Sequence, residues 1–359
     1  MTVFNFSAGP STLPSAALRE AQEELVEYAG SGMSLIEMSH RGPEYTAVHE
    51  GAIARARTVF RVPDDFSVLF LQGGATLQFS MVPMNLLGAG RSGGYVMSGA
   101  WAKKALADAR LYGETYVAWD GSASSFDHMP NSREISLQAG TRYLHVTSNE
   151  TIDGIQIFDW PNVGVPLVGD MSSDVMSRPI PWQLFDLVYA GAQKNLGPAG
   201  ASIVFVRDSA LESTNRDIGA YLRYDLHRDG NSLFNTPPVF SVWLIGKVLK
   251  LLADQGGLDA IEAAGRDKAA LLYDAIDSSS GFYTSPVQVE SRSLMNVVFR
   301  LSSEELESKF LGICADAQLH GLKGHRSVGG VRASIYNAMP LSGVEALVSV
   351  MSRFRAENG

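Results

Sequence analysis

Apolar positions recur at helical spacing near the start of the chain. Leu18, Ala21, Leu25 and Tyr28 share one face over Pro14–Tyr28, and Gly30 marks the stop. A second helix is predicted over Glu44–Phe60, ended by Pro63. The pattern then changes, and short β-branched or apolar runs alternate with helical stretches. The runs are Val68–Leu71, Tyr95–Met97, Thr115–Trp119, Tyr143–Val146, Pro166–Val168, Leu187–Tyr189 and Ile203–Val206. Several are continuously apolar, as expected of strands buried on both faces. Such alternation predicts an α/β fold: a large domain with a mostly parallel, seven-stranded sheet covered by helices. Gly256-Gly257 precedes a long helical pattern, Leu258–Ile276. A strand at Leu294–Phe299, a helix at Ser303–Leu319, a glycine-rich strand region and a final helix at Leu341–Phe354 follow. These predict an N-terminal arm over residues 1–14, the large domain over 15–257 and a smaller α+β C-terminal domain over 258–359.

Composition narrows the class. The 359 residues suit about two domains of roughly 150 residues each. Apolar residues make up 45% and charged residues 19%, which excludes disorder, collagen and coiled coil as the main architecture. The net charge of −9 gives no bulk attraction to nucleic acid or anionic lipid, so any anion site must be local. Cys314 is the sole cysteine, so no internal disulfide can form. The N-terminus lacks the basic and apolar regions of a signal peptide, and the longest apolar stretch, Val242–Ala253, carries Lys247 and Lys250. A soluble, cytoplasmic protein without nucleic-acid or membrane partners is expected.

Candidate chemistry centres on Lys194, in AGAQKNLGPAG directly after the run Leu187–Tyr189. A lone lysine usually reads as a solvated loop residue. Here it stands beyond the carboxyl end of a strand among small residues, where α/β sheets bind ligands. An amine there can form a Schiff base with an aldehyde cofactor. Asp170 ends the Pro166–Gly169 stretch, about one strand–helix–strand unit before Lys194. It can cap the following turn, or it can pair with a pyridinium nitrogen, the arrangement of pyridoxal phosphate enzymes. Gly73-Gly74-Ala75-Thr76 lies between a strand and a helix predicted over Ala75–Leu87. Free N–H groups there can cradle a phosphate, although a glycine pair can also be only a turn. The sequence matches neither a GxGxxG fingerprint nor a Walker A loop, which argues against NAD and ATP. Trp101 follows Ser98-Gly99-Ala100 and suits either the core or a stacking role on a flat ring. His40-Arg41 and His325-Arg326 form two similar pairs, and Arg332 follows the second. Singly, each arginine reads as a surface ion pair. Together, in an acidic chain, they suggest a substrate with several negative charges.

Read together, FNFSAGPSTLP, SHRG, GGATLQF, SNETIDG, YAGAQKNLGPAG, FNTPPVF and KGHRSVGGVRASIYNAMP resemble the phosphoserine aminotransferases. These belong to the aspartate-aminotransferase-like, fold type I pyridoxal phosphate enzymes. The motifs run from residue 4 to residue 340 and are highly specific in combination. The resemblance implies pyridoxal 5′-phosphate as cofactor, with Lys194 carrying its Schiff base, Asp170 pairing with the ring nitrogen and Trp101 stacking on the ring. Ala75, Thr76 and Gln193 would hold the phosphate, and Thr151 would hydrogen-bond the ring hydroxyl. Asn235 and Thr236 would reach the cofactor of a neighbouring subunit, which implies a homodimer with shared sites. Arg332 would take the substrate α-carboxylate, and His40, Arg41, His325 and Arg326 the distal anion. No metal is implied. Some family members have arginine in the glycine loop where this chain has Ala75-Thr76; a backbone-mediated contact tolerates that change. The roles of Thr151, Asn235 and Thr236 rest on the resemblance alone.

The implied reaction converts 3-phosphohydroxypyruvate and L-glutamate to O-phospho-L-serine and 2-oxoglutarate. Its setting is L-serine biosynthesis, with pyridoxine biosynthesis beside it. Two rival readings are a related aminotransferase with a different keto-acid acceptor and a non-catalytic anion-binding protein on the same fold.

Overall fold

A computed structural model describes residues 2–212 and 217–359. Among these residues the main sheet has seven strands, in the spatial order Phe66–Gln72, Ala201–Arg207, Phe185–Gly191, Leu167–Asp170, Thr141–Thr147, Ser92–Met97 and Glu114–Asp120. Ala201–Arg207 is antiparallel to both its neighbours, and the other strands run one way. The fold is therefore α/β with a mostly parallel sheet, as the alternating pattern predicts.

The continuous apolar runs have a direct cause. Val188 and Ala190 face one core with Ile203 and Phe205, beneath the helices Pro43–Phe60 and Val239–Asp254. Leu187 and Tyr189 face the opposite core with Val204 and Val206, beneath Gly74–Leu86 and Ala100–Ala109. Alternate side chains thus leave water on opposite sides, so every position must be apolar. The strand Glu114–Asp120 lies at the edge and remains partly exposed.

A third core lies C-terminal. It joins the helices Gly257–Asp277, Glu304–Asp316 and Leu341–Asn358 to the antiparallel pair Asn296–Phe299 and Val331–Ser334. Ser303 caps its helix by accepting the Leu306 N–H at 3.2 Å, and acidic residues fill the first turn. Cys314 is buried here, its thiol pushed up to about 12 by loss of hydration. The arm also belongs here in part. Phe4–Asn5 pairs in parallel with Leu319–His320, and Phe6 is buried in the same core.

Two helices are shorter than their patterns. The first spans Ser15–Glu24, because the chain then turns through Ala29 and Gly30 at positive φ and the Tyr28 N–H bonds to Met33 O. Tyr28 packs edge-on against Trp243 instead of extending the helix. The helix predicted over Ser303–Leu319 ends at Asp316, since Leu319 joins a strand. Among the described residues no helix is long and apolar enough to cross a membrane.

Phe205 is fully buried, with ring centroids 5.0 Å from Phe60 and 5.2 Å from Trp182. Phe205→Ala is expected to destabilise the fold by about 3–5 kcal/mol. Urea titration followed by far-UV circular dichroism measures this, and an unchanged midpoint contradicts the packing described.

Candidate active site

The parallel strands deliver their carboxyl ends to one edge, and a cavity of about 550 Å³ lies beyond it. Asp170 is the last residue of its strand and pairs in register with Thr147 and Tyr189 on either side. Lys194 follows the next strand, Phe185–Gly191, after a short turn. The sheet thus brings Asp170 and Lys194 to the same cavity. Both are buried, at 4% and 7% exposure.

Burial governs their chemistry. It pulls the Lys194 amine down from 10.5 to about 8, against the opposing charges of Asp170 and Glu150. Burial also raises the Asp170 carboxyl, while hydrogen bonds from Ser172 and the charge of Lys194 lower it. Asp170 Oδ1 accepts the Ser172 N–H at 2.9 Å and the Ser172 hydroxyl at 2.6 Å. The turn-forming reading of this aspartate and its place in the cavity therefore hold together. Ser172 Oγ in turn accepts the Gly191 N–H at 3.1 Å, which ties the two strand ends.

Lys194 Nζ donates to Thr151 Oγ1 at 2.6 Å and lies 5.6 Å from the Trp101 ring centroid. The arm supports the lysine from the other direction. Ser11 Oγ donates to the Lys194 carbonyl at 2.5 Å, and Ser11 N–H to the Gln193 carbonyl at 3.0 Å. Gly9 and Pro10 line the cavity beside Gln193. Nothing in the arm's composition signalled this support; only the three-dimensional arrangement reveals it.

Gly73 and Gly74 both have positive φ and open the helix Gly74–Leu86. A Cβ on Gly73 would lie 2.6 Å from Leu77 Cδ2, so this start needs glycine on two counts. No side chain caps it. Ala75 and Thr76 line the cavity there, with the N-terminal end of the helix able to receive an anion. Trp101 also lines the cavity; its Nε1 is buried without a partner.

Arg332 enters from the strand Val331–Ser334 and donates to the Thr151 carbonyl at 3.3 Å. Its Nε is buried without a partner. His325 lines the same wall. Burial, then the charges of Arg332, Arg326 and Lys104, hold its imidazole below the ordinary value. The mouth is thus locally cationic in an acidic protein. Arg326 is exposed and, like His40, Arg41, Asn235 and Thr236, is not among the residues lining the cavity. His40 Nε2 is buried without a partner, and Asn235 Nδ2 donates to the Thr236 carbonyl at 3.1 Å. Among the described residues no cluster of histidine, cysteine or carboxylate side chains is arranged to hold a metal.

This sheet and cavity define an aminotransferase fold. The model of the class-V aminotransferases matches residues 3–347, and the chain belongs to that family. It is 51% identical to the phosphoserine aminotransferase of Laribacter hongkongensis over the whole of both chains. The structure of the phosphoserine aminotransferase from Bacillus circulans subsp. alkalophilus superposes with a TM-score of 0.98 at 51% identity, covering 100% of this chain and 99% of that one. A phosphoserine aminotransferase from Trichomonas vaginalis, solved with pyridoxal phosphate bound, gives 0.93 at 36% identity over 98% of this chain and 100% of that one. Within its family the chain therefore stands with the phosphoserine aminotransferases.

An amine at about 8 is roughly a quarter neutral at pH 7.5, against about one part in a thousand for one at 10.5. Since the neutral amine is the nucleophile, addition of Lys194 to an aldehyde is expected to speed up with rising pH and level off above about 8. Stopped-flow absorbance with pyridoxal phosphate measures it; a rate still climbing tenfold per unit toward pH 10 contradicts the burial effect.

Proposed function

We propose that this protein transfers the amino group of L-glutamate to 3-phosphohydroxypyruvate, giving 2-oxoglutarate and O-phospho-L-serine, with pyridoxal 5′-phosphate as cofactor, in L-serine biosynthesis. The observation that carries this reading is the meeting of a buried amine, a buried carboxylate and a glycine-opened helix start in one cavity. The donor set fits the cofactor. The uncapped helix start suits its phosphate, and the carboxylate of Asp170 suits a protonated ring nitrogen. The Trp101 ring offers a flat apolar wall, and Thr151 a hydroxyl beside Lys194.

Pyridoxal phosphate, when bound, supplies an aldehyde carbon for amine exchange and a ring that takes up the electron pair left at the substrate α-carbon. The chain's own residues do the rest. Ala75 and Thr76 N–H groups, with Gln193, hold the phosphate. Asp170 keeps the ring nitrogen protonated and so keeps the ring a good electron acceptor. Lys194 would hold the aldehyde carbon when the cofactor is bound and, once glutamate's amine replaces it, its freed amine would carry the proton from the substrate α-carbon to the aldehyde carbon, two bonds away across the nitrogen. An amine near 8 serves both directions close to neutral pH. Arg332 holds the α-carboxylate of either substrate by its planar fork. His325, on the cavity wall, meets the distal anion, a phosphate in one half-reaction and a carboxylate in the other, and the exposed Arg326 beside it adds positive charge at the mouth.

His40, Arg41, Asn235 and Thr236 complete the cavity of a second copy in this reading, which makes the working unit a homodimer. The exposed apolar side chains Met33, Ile36, Phe234 and Phe240 lie close in sequence to these residues and support such a contact.

Lys194→Ala is expected to lower turnover by at least about 10³-fold. Coupled assay of 2-oxoglutarate release measures it, and substantial residual turnover removes the lysine from its role. Arg332→Ala is expected to raise KM for glutamate and for 3-phosphohydroxypyruvate alike, by about 10- to 100-fold. An effect on neither substrate excludes it from the carboxylate site. Comparing 3-phosphohydroxypyruvate with hydroxypyruvate and pyruvate as acceptors tests the substrate itself; equal use of all three overturns the phosphorylated acceptor.

A further inference from the structure

Glu150 has entered so far only as a charge acting on Lys194, yet its side chain is fully buried beside the cavity, at 0% exposure. Its partners are the backbone groups that open the helix Ala100–Ala109. Oε2 accepts the Trp101 N–H at 3.1 Å, and Oε1 accepts the Ala102 N–H at 2.9 Å. The Ser98 hydroxyl also donates to Oε1, at 3.4 Å. The first N–H groups of a helix have no partner within it. Gly99 precedes this helix and has no side chain to cap it. Glu150, from a strand far along the sequence, supplies the missing acceptor.

The fit is close. A Cβ on Gly99 would lie 2.7 Å from Glu150 Cδ and 2.6 Å from Asp153 Oδ2. Glycine therefore permits the carboxylate to reach the helix start. Trp101 is the second residue of that helix, and its ring lines the cavity. The residue after Glu150 is Thr151, which accepts the hydrogen bond of Lys194. One short segment thus fixes Trp101 through a carboxylate and Lys194 through a hydroxyl. Burial raises the Glu150 carboxyl to about 8, and the Ala102 and Trp101 N–H groups oppose that rise.

We propose that Glu150 is a positioning residue for Trp101: by holding the Trp101 and Ala102 N–H groups it sets the place of the indole in the cavity, and through the indole the binding of the cofactor ring. This rests on the pyridoxal phosphate reading above. It makes Glu150 a determinant of cofactor retention and ring environment without contact to the substrate.

The test compares the reconstituted protein with Glu150→Ala and Glu150→Gln, each also in a Trp101→Leu background. The readouts are the dissociation constant for pyridoxal phosphate and the visible circular dichroism of the bound cofactor. Glu150→Ala is expected to weaken cofactor binding roughly 10-fold and to alter the dichroic band. Glu150→Gln, nearly isosteric but keeping only one of the two acceptor oxygens, is expected to recover part of both. With Trp101→Leu already present, Glu150→Ala is expected to change the affinity by less than about 2-fold, because the two residues act as a unit. An unchanged Glu150→Ala overturns the proposal. So does an equal loss with and without Trp101, which would mark a general folding defect, or a Glu150→Gln as poor as Glu150→Ala. Absence of any cofactor band in the unaltered protein overturns the transaminase reading itself, and a normal band there separates the two failures.

Discussion

Charging an amine out of water is costly, and Lys194 sits where that cost is set against nearby carboxylates. Burial lowers its pKa; Asp170 and Glu150 raise it; the balance falls at about 8. Either influence alone would suit the role proposed for this amine poorly. Burial without the carboxylates would leave an amine unable to return a proton near neutral pH, and exposure would leave it protonated and unreactive. The fold's task is to hold this balance. Parallel strands end at one edge, Asp170 closes one strand, Lys194 follows its neighbour, and Ser172 ties the ends together.

The cover over both sheet faces makes that edge rigid. Leu187 and Tyr189 anchor the strand before Lys194 to one core, while Val188 and Ala190 anchor it to the other. The arm adds a second brace. It pairs with Leu319–His320, passes the cavity at Gly9 and Pro10, and hydrogen-bonds the backbone of Gln193 and Lys194 through Ser11. Arg332 arrives from the C-terminal core and bonds the Thr151 carbonyl. The cavity thus lies where the sheet edge, the C-terminal core and the arm converge.

Much of this was legible in the sequence because it is local. Continuous apolar runs such as Leu187–Tyr189 reveal a doubly covered strand, and a strand followed by Gly73-Gly74 reveals a helix start able to take an anion. Lys194 and Asp170 stood out because each follows such a run. What was not legible depends on distant pairing. Phe4–Asn5 is too short to announce a strand, and its partner lies at the far end of the chain. The helix pattern past Asp316 was misleading because Leu319 is apolar for a strand's reason, not a helix's. Glu150 gave no signal either, since a carboxylate that caps a helix some fifty residues earlier looks like any surface acid in sequence. The roles that the family resemblance implies for His40, Arg41, Asn235 and Thr236 are also not legible within one chain, since none of the four lines its cavity.

The central claim is that one buried amine among the chain's eight lysines does the chemistry. Incubation with pyridoxal phosphate, reduction with borohydride and peptide mapping by mass spectrometry test it directly. The expected result is a single phosphopyridoxyl adduct, on Lys194, lost on prior addition of L-glutamate. An adduct confined to another lysine, or none at all, contradicts it.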